Sequence, residues 1–321
     1  MGAHAEFVDL YADERAALVR EIAAAGALKD PAWRAAFGAV PRHLFVPYWF
    51  RFGPGGSERL WGEDPDPQRR ERWLRGVYAD TALATRVRDG VLLSSSSQPS
   101  LMARMLDELE VREGHEVLEV GAGTGYNAAL LSHRLGEEHV TSLDLDTEIV
   151  ESARSHLARA GYAPVVLAGD GARGCPARAP FDRIVATCTV PSVPPEWLGQ
   201  CRPGARILAP LSTGLIALRV RDGSYAEGRF LPTPAYFVPL RGGPAAPSPR
   251  YTGGLPRAAL ENDLFRFLLT LSASSLDPHE ALALWHLEGR PRRERFGVTV
   301  SGVGQWAWLD DPAGPYTWPL G

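Results

Sequence analysis

The sequence predicts an α/β protein built on a parallel, doubly wound sheet, with helices ahead of it and a smaller α+β segment after it. Three observations carry that prediction. Apolar runs alternate strictly with helical periods from residue 115 to residue 211; a glycine-rich turn, GAGTG, separates the first run from its helix; and Gly/Pro-rich punctuation sets off a C-terminal stretch where the alternation stops. The chain's 321 residues, 45% hydrophobic and 22% charged, suffice for one large domain and a smaller one with a well-buried core.

In chain order, residues 8 to 38 keep a helical period, which PRHLFVP (residues 41–47) ends with two prolines. A polar stretch rich in Gly, Pro and charge follows from Arg51 to Arg75. LLSSSSQPSLMARML (residues 92–106) then places four serines before a Gln-Pro. Leu101, Met102, Met105, Leu106 and Leu109 recur at helical spacing, so a helix begins here with Pro99 in its first turn and serine hydroxyls available as caps. Such a helix end suits a carboxylate or phosphate, and a plain structural cap or a flexible linker would equally account for serines here. The alternating region runs HEVLEV, a helix after Gly125, HVTSLDL, a helix from Thr147 to Ala160, PVVLAGD, FDRIVAT and ARILAPL. LIALRVRDGSYAEGRFL reads as an antiparallel hairpin with a DG turn, and AYFVPL as a last strand. RGGPAAPSPRYTGG (residues 241–254) reads as a linker. Beyond it lie two helices, ENDLFRFLLTL and PHEALALWHL, and two strand-like pieces, FGVTVSG and QWAWLDD.

The net charge of −4, with Lys29 the single lysine, argues against a nucleic-acid partner, which would require a basic face. The cluster Arg69, Arg70, Arg72 and Arg75 offers either a face for an acidic peptide or a solvated helix surface, and the second is expected. No apolar stretch is long enough to span a membrane, and the N-terminus carries acids where a signal peptide would be apolar, so a cytoplasmic location without a membrane partner is expected. Cys175, Cys188 and Cys201 are too few and too scattered for a disulfide framework or a zinc site, and no HExxH is present; they are expected to be neutral core residues, with no metal.

EVLEVGAGTGYNAALL puts Gly121, Gly123 and Gly125 between a short apolar strand and a helix, where glycines let the backbone pass close to a ligand. The spacing differs from the GxGxxG of a dinucleotide fold. Glu119 lies two residues before the first glycine, and Asp144, with Leu145 after it, ends the next strand where a carboxylate can take both ribose hydroxyls. Asp170 and Gly171 close the third strand, where an adenine amino group needs an acceptor, whereas Asp146 is placed to cap the following helix. Together these favour S-adenosylmethionine over NAD and disfavour a dehydrogenase. A non-catalytic peptide-binding module is the alternative from another class.

At this point the chain resembles the protein-L-isoaspartate O-methyltransferase family. Four blocks carry the resemblance: VPRHLFVP (residues 40–47), SSQP (residues 96–99) in place of the family's ISQP, VLEVGAGTGYNAALLS, and GDGARGCPARAPFDRIVATCTVPSVPPEWLGQCRPGARILAPL, closed by FVPL (residues 237–240). The resemblance covers residues 8 to 240. It implies a seven-stranded Rossmann-like class I methyltransferase fold, S-adenosylmethionine as donor with S-adenosylhomocysteine as product, and a peptide aspartyl or isoaspartyl carboxylate as acceptor. It places the family's active-site serine on Ser97, with Ser96, Gln98, Thr187, Cys188 and Thr189 around the substrate. The chain departs from the family at Ser95, Ser96, Cys188 and Thr189. Its expected organisation is an N-terminal helical region (1–90) with an insertion at 48–76, a methyltransferase core (91–240), the linker (241–254) and a C-terminal extension (255–321). Insertion and extension together resemble enlarged actinobacterial members that accompany ribosomal-peptide modification clusters. That points to a modified precursor peptide whose aspartate is esterified on the way to an aspartimide or isoaspartate. General repair of isoaspartyl proteins is the alternative.

Overall fold

The structure, a computed structural model, describes residues 2–54, 56–242 and 252–320. Helices α1 (Gly2–Ala24), α2 (Pro31–Ala39) and α3 (Arg42–Phe45) lead into a hairpin of β1 (Tyr48–Gly53) and β2 (Gly56–Trp61), followed by α4 (Pro67–Val77). Strands β3 (Leu83–Arg88) and β4 (Val91–Ser96) precede α5 (Pro99–Glu108), β5 (Val117–Val120), α6 (Tyr126–Leu135), β6 (Val140–Asp144), α7 (Thr147–Arg159) and β7 (Val165–Ala168). Next come β8 (Phe181–Ala186), α8 (Pro195–Leu198), β9 (Cys201–Leu211), β10 (Gly214–Asp222) and β11 (Tyr225–Pro234). The last elements are α9 (Arg257–Leu260), α10 (Asp263–Leu271), α11 (Pro278–Leu287), β12 (Phe296–Ser301), β13 (Gly304–Leu309) and β14 (Thr317–Pro319). None of these helices is long and apolar enough to cross a membrane.

The chain forms two compact units, Met1–His115 with Ala122–Ala168 and Glu116–Gly121 with Gly169–Gly321. Most of the expected linker lies outside the described residues.

In the first unit the helical period over 8–38 is broken at Gly26 (φ 73°), and α2 restarts at Pro31 beneath Asp30, whose Oδ1 accepts from Ala32 N at 2.8 Å. The polar stretch 51–75 carries the end of β1, all of β2 and most of α4. β1 and β2 pair from Tyr48↔Trp61 to Gly53↔Gly56 and continue into an antiparallel sheet of order β2-β1-β3-β4. Trp73 of α4 is buried and donates its Nε1–H to Val46 O at 2.9 Å, which ties that helix to the PRHLFVP segment. The arginine cluster is paired within the chain: Arg69 bonds Asp64 and Glu58, Arg70 bonds Asp64 O, Arg72 approaches Glu58 at 3.8 Å, and Arg75 pairs with Glu71. β6 and β7 form a parallel pair, and every residue of β6 is buried, as a strand covered on both faces requires.

In the second unit the strand order is β14-β13-β12-β11-β10-β9-β8-β5. β5, β8 and β9 run parallel, and the rest are antiparallel. Of the expected core strands, β5 and β8 to β11 lie here, and three more from the extension continue their sheet, β12 pairing with β11 from Ala226↔Val300 to Arg229↔Gly297. The extension therefore shares the core: Phe267 of α10 meets Phe230 at 4.8 Å and Phe296 at 5.3 Å between ring centroids. AYFVPL is not a strand. Pro239 has no N–H to give a ladder, and the segment makes a single isolated bridge, Thr189↔Pro239. The three cysteines are buried thiols outside any disulfide, and burial pushes the Cys201 thiol up to about 12.

Candidate active site

The glycine turn leaves β5 with Gly121 at φ 101°, a conformation that favours glycine. Space demands it too. A Cβ there would stand 2.5 Å from Thr187 Oγ1, which itself donates to Gly121 O at 2.6 Å. Four residues on, Gly125 at φ 85° opens α6. Asp144, at the end of β6 and only 9% exposed, accepts from Gly123 N (3.2 Å) through Oδ2 and from Asp146 N (3.3 Å) through Oδ1. Backbone donors thus hold the carboxylate in one orientation. Leu145 beside it is exposed, and Asp146 caps α7 through Glu148 N at 2.9 Å, as the sequence predicts. Burial lowers the His156 pKa, so its neutral ring donates from Nδ1 to Thr124 O at 3.0 Å and braces the turn from α7.

The second unit holds the remaining predicted cofactor residues. Asp170 accepts from Ala172 N at 3.0 Å and caps a short turn, and Trp197 Nε1 donates to Gly171 O at 2.8 Å. Glu119 is fully buried on β5, a position a carboxylate tolerates only with hydrogen-bond donors around it. After β8, Thr187 holds Gly121, and Cys188 is buried with its Sγ 3.8 Å from Val120 O. Thr189 exchanges backbone bonds with Val238 and Leu240 and donates its hydroxyl to Phe237 O.

The four serines separate into distinct roles. Ser94 and Ser96 are buried, one accepting from Thr85 Oγ1 at 3.4 Å and the other from Arg42 Nη2 at 3.3 Å. Ser96, expected at the substrate, thus turns its hydroxyl inward. Ser95 pairs with Ala84 in the ladder. Ser97 is half-buried; its carbonyl accepts from Arg42 Nη2 at 3.1 Å, and its hydroxyl has no hydrogen-bond partner among the described residues. None of the four caps α5. Gln98 is the N-cap and makes no side-chain cap; Asp80 does that work from a distance, accepting from Ser100 N at 2.8 Å and Gln98 Nε2 at 3.1 Å. The serine segment adjoins the glycine turn: a Cβ on Gly123 would sit 3.6 Å from Ser94 Oγ and 3.7 Å from Ser95 O. Sequence patterning does not single out Arg42 or Asp80. Arg42 hides inside the VPRHLFVP block, Asp80 lies in no motif, and both act through partners distant in the chain.

Parallel strands alternating with helices, a left-handed glycine turn and a fixed carboxylate at the next strand end define a class I S-adenosylmethionine-dependent methyltransferase. The fold has solved counterparts. A structure named protein-L-isoaspartate O-methyltransferase superposes with a TM-score of 0.64 at 23% identity, covering 92% of this chain and 100% of that one. One from Plasmodium falciparum, described as a beta-aspartate methyltransferase in complex with S-adenosyl-L-homocysteine, gives 0.53 at 14% identity, covering 71% and 98%. Residues 69–241 match the family described as Protein-L-isoaspartate(D-aspartate) O-methyltransferase (PCMT). The protein-L-isoaspartate O-methyltransferase of Hyperthermus butylicus is 31% identical over 247 residues, 72% of this chain and 90% of that protein. That of Azorhizobium caulinodans is 34% identical over 238 residues, 73% and 95%. This chain belongs to the protein-L-isoaspartate O-methyltransferase family, whose members are carboxyl O-methyltransferases that use S-adenosylmethionine.

Proposed function

We propose that the enzyme methylates the carboxylate of isoaspartyl residues in damaged proteins, with Ser97 orienting the acceptor. The observation that carries this reading is the state of Ser97: its carbonyl is anchored, its hydroxyl is unpartnered, and its segment lies against the glycine turn.

The residues fit the donor. Asp144, held by two backbone N–H groups, is suited to the ribose hydroxyls with Leu145 alongside, and Asp170, followed by Gly171, to the adenine amino group. Gly121, Gly123 and Gly125 leave the backbone open to close approach, with Glu119 buried behind the turn. Bound S-adenosylmethionine supplies an electrophilic methyl group on a sulfonium sulfur. The acceptor carboxylate is already ionised at neutral pH, so no general base is needed. Ser97 donates a hydrogen bond to one carboxylate oxygen and aims the other. Positioning of this kind is worth up to about 7–11 kcal/mol in favourable cases. Gln98, which Asp80 holds, and Thr187 and Thr189 are the further residues we assign to the acceptor. In the ester, the following backbone nitrogen attacks the carbonyl carbon, the bond to methoxy oxygen breaks, the amide proton leaves with it as methanol, and a succinimide closes without further help.

The modified-peptide reading rests on the insertion and the extension, and both have lost weight as evidence for it. The uncovered 8% of the chain in the first superposition is shorter than either 48–76 or 255–321, so at least part of each addition has a counterpart in that fold. Arg51, Arg69 and Arg75 of the insertion are moreover engaged with its own acids.

The deciding experiment compares methyl incorporation from labelled S-adenosylmethionine into three peptides: one with an isoaspartyl residue, its aspartyl isomer, and a cyclised, modified peptide with an ordinary aspartate. Turnover of the isoaspartyl peptide is expected to exceed the others at least tenfold. Preference for the cyclised peptide would restore the biosynthetic reading, and turnover of none would return the non-catalytic one.

A further inference from the structure

We infer that Arg42 is the positioning residue for the acceptor step, a buried cation that fixes the Ser96–Ser97 backbone so that the Ser97 hydroxyl alone is left to meet the substrate. The inference rests on Ser97 as the residue that receives the acceptor carboxylate.

Arg42 opens α3 and is wholly inaccessible to solvent. Its Nη1 donates to Val77 O at 2.6 Å and Ala79 O at 3.1 Å; its Nη2 donates to Thr81 O at 3.2 Å, Ser96 Oγ at 3.3 Å, Ser97 O at 3.1 Å and, more weakly, Ser96 O at 3.5 Å. One guanidinium thereby fastens the loop after α4 to the end of β4. The same loop reaches the other side of Ser97 through Asp80, which holds Gln98 and Ser100. Ser97 is pinned between two anchors that both trace back to residues 77–81.

A purely structural clamp on carbonyl oxygens would not need a charge. Neutral amides donate to carbonyls without the cost of stripping water from a cation, and buried charges are a poor source of stability. Here the cost is visible. Burial pushes the guanidinium down to about 10, which leaves it charged at neutral pH, and its Nε is buried without an acceptor. None of its hydrogen bonds goes to a carboxylate. What the guanidinium adds, and a single amide or ammonium lacks, is a planar fork of donors that reaches the 77–81 loop and the Ser96–Ser97 backbone at once.

The test is a double-mutant cycle on the full chain, with an isoaspartyl peptide as substrate. Arg42→Lys keeps the charge but loses the fork; it is expected to lower kcat/KM for the peptide roughly tenfold and to leave S-adenosylhomocysteine affinity within twofold of wild type. In a Ser97→Ala background the same change should cost less than twofold, because the hydroxyl it positions is gone. Should Arg42→Lys fail to fold, Ser96→Ala, which removes one of the oxygens bonded to Arg42, is expected to lower kcat/KM two- to fivefold and likewise to lose its effect beside Ser97→Ala. Full multiplication of the losses in the cycle, or equal losses in cofactor affinity and peptide turnover, would overturn the role of Arg42. If wild type ignores the isoaspartyl peptide, the proposed function falls first and this role falls with it.

Discussion

The glycine turn and the serine segment lie against each other, yet they are held in shape by opposite means. Gly121, Gly123 and Gly125 owe their geometry to their own backbone and to groups that close over it, Thr187 on one residue and Asp144 on another. The serine segment has little that is local to fix it. Its carbonyls hang on a guanidinium 55 residues earlier in the chain, and the helix after it is capped by a carboxylate 20 residues back. The first arrangement makes a rigid surface that any change within it will break. The second can be weakened from a distance, and weakened selectively, since Arg42 and Asp80 touch no glycine of the turn.

The largest effect is therefore expected from within the turn. Gly121→Ala must place a Cβ 2.5 Å from Thr187 Oγ1 at a backbone angle of 101°, and S-adenosylhomocysteine affinity measured by calorimetry should fall on the order of a hundredfold or more. Affinity unchanged within threefold would mean that the turn is not the cofactor surface. Asp144→Ala comes next. It removes a charged acceptor worth about 1.5–3 kcal/mol per hydrogen bond, so affinity should drop ten- to a hundredfold. A drop in peptide turnover with cofactor affinity intact would assign Asp144 to the wrong ligand.

Across the boundary the signature should invert. Ser97→Ala is expected to lower the methylation rate roughly tenfold, the scale of one charge-assisted hydrogen bond, while S-adenosylhomocysteine still binds with wild-type affinity. A larger loss from Ser95→Ala would move the acceptor site by two residues.

A smaller effect should appear on acidification. Burial, together with Arg15 and Arg159, pushes His43 down to about 4 from an ordinary value near 6.5, and burial also lowers His156. The folded protein binds fewer protons than the unfolded chain between those values, so stability is complete above about pH 6.5 and declines as pH falls toward 4. His43→Phe preserves a ring to stack on Tyr11 and should flatten, though not abolish, the fall of Tm with pH over that window. An unchanged slope would assign the acid sensitivity elsewhere. The smallest effect belongs to Arg75→Ala, whose partner Glu71 is one turn away on an exposed helix face; a Tm shift corresponding to less than about 0.5 kcal/mol is expected.

Legibility in the sequence follows the same division. Strands β5 to β11, the helices between them and the acids at the strand ends were readable because each depends on a short-range pattern: apolar runs, glycines at a turn, an acid at a strand end. The serine run misled because propensity favours serine as a helix cap, whereas β4 extends through Ser96 and a remote aspartate takes the capping role. Charge and proline made 51–75 look irregular, but apolar residues such as Leu60 and Trp73 give its hairpin and helix a buried side. Arg42 escaped notice for a plainer reason. An arginine is expected in water, and only the three-dimensional structure reveals that all of its bonds are made inside.

Strands β12 to β14 bear on how the protein survives at high concentration. Without them β11 would present the unpaired backbone donors and acceptors of Ala226 to Arg229, a template on which a second chain could grow a sheet. The extension passes that row along until it ends at β14, three residues whose last, Pro319, has no N–H to offer. A strand that short, closed by proline, is a poor seed for aggregation, so deleting the extension should cost solubility.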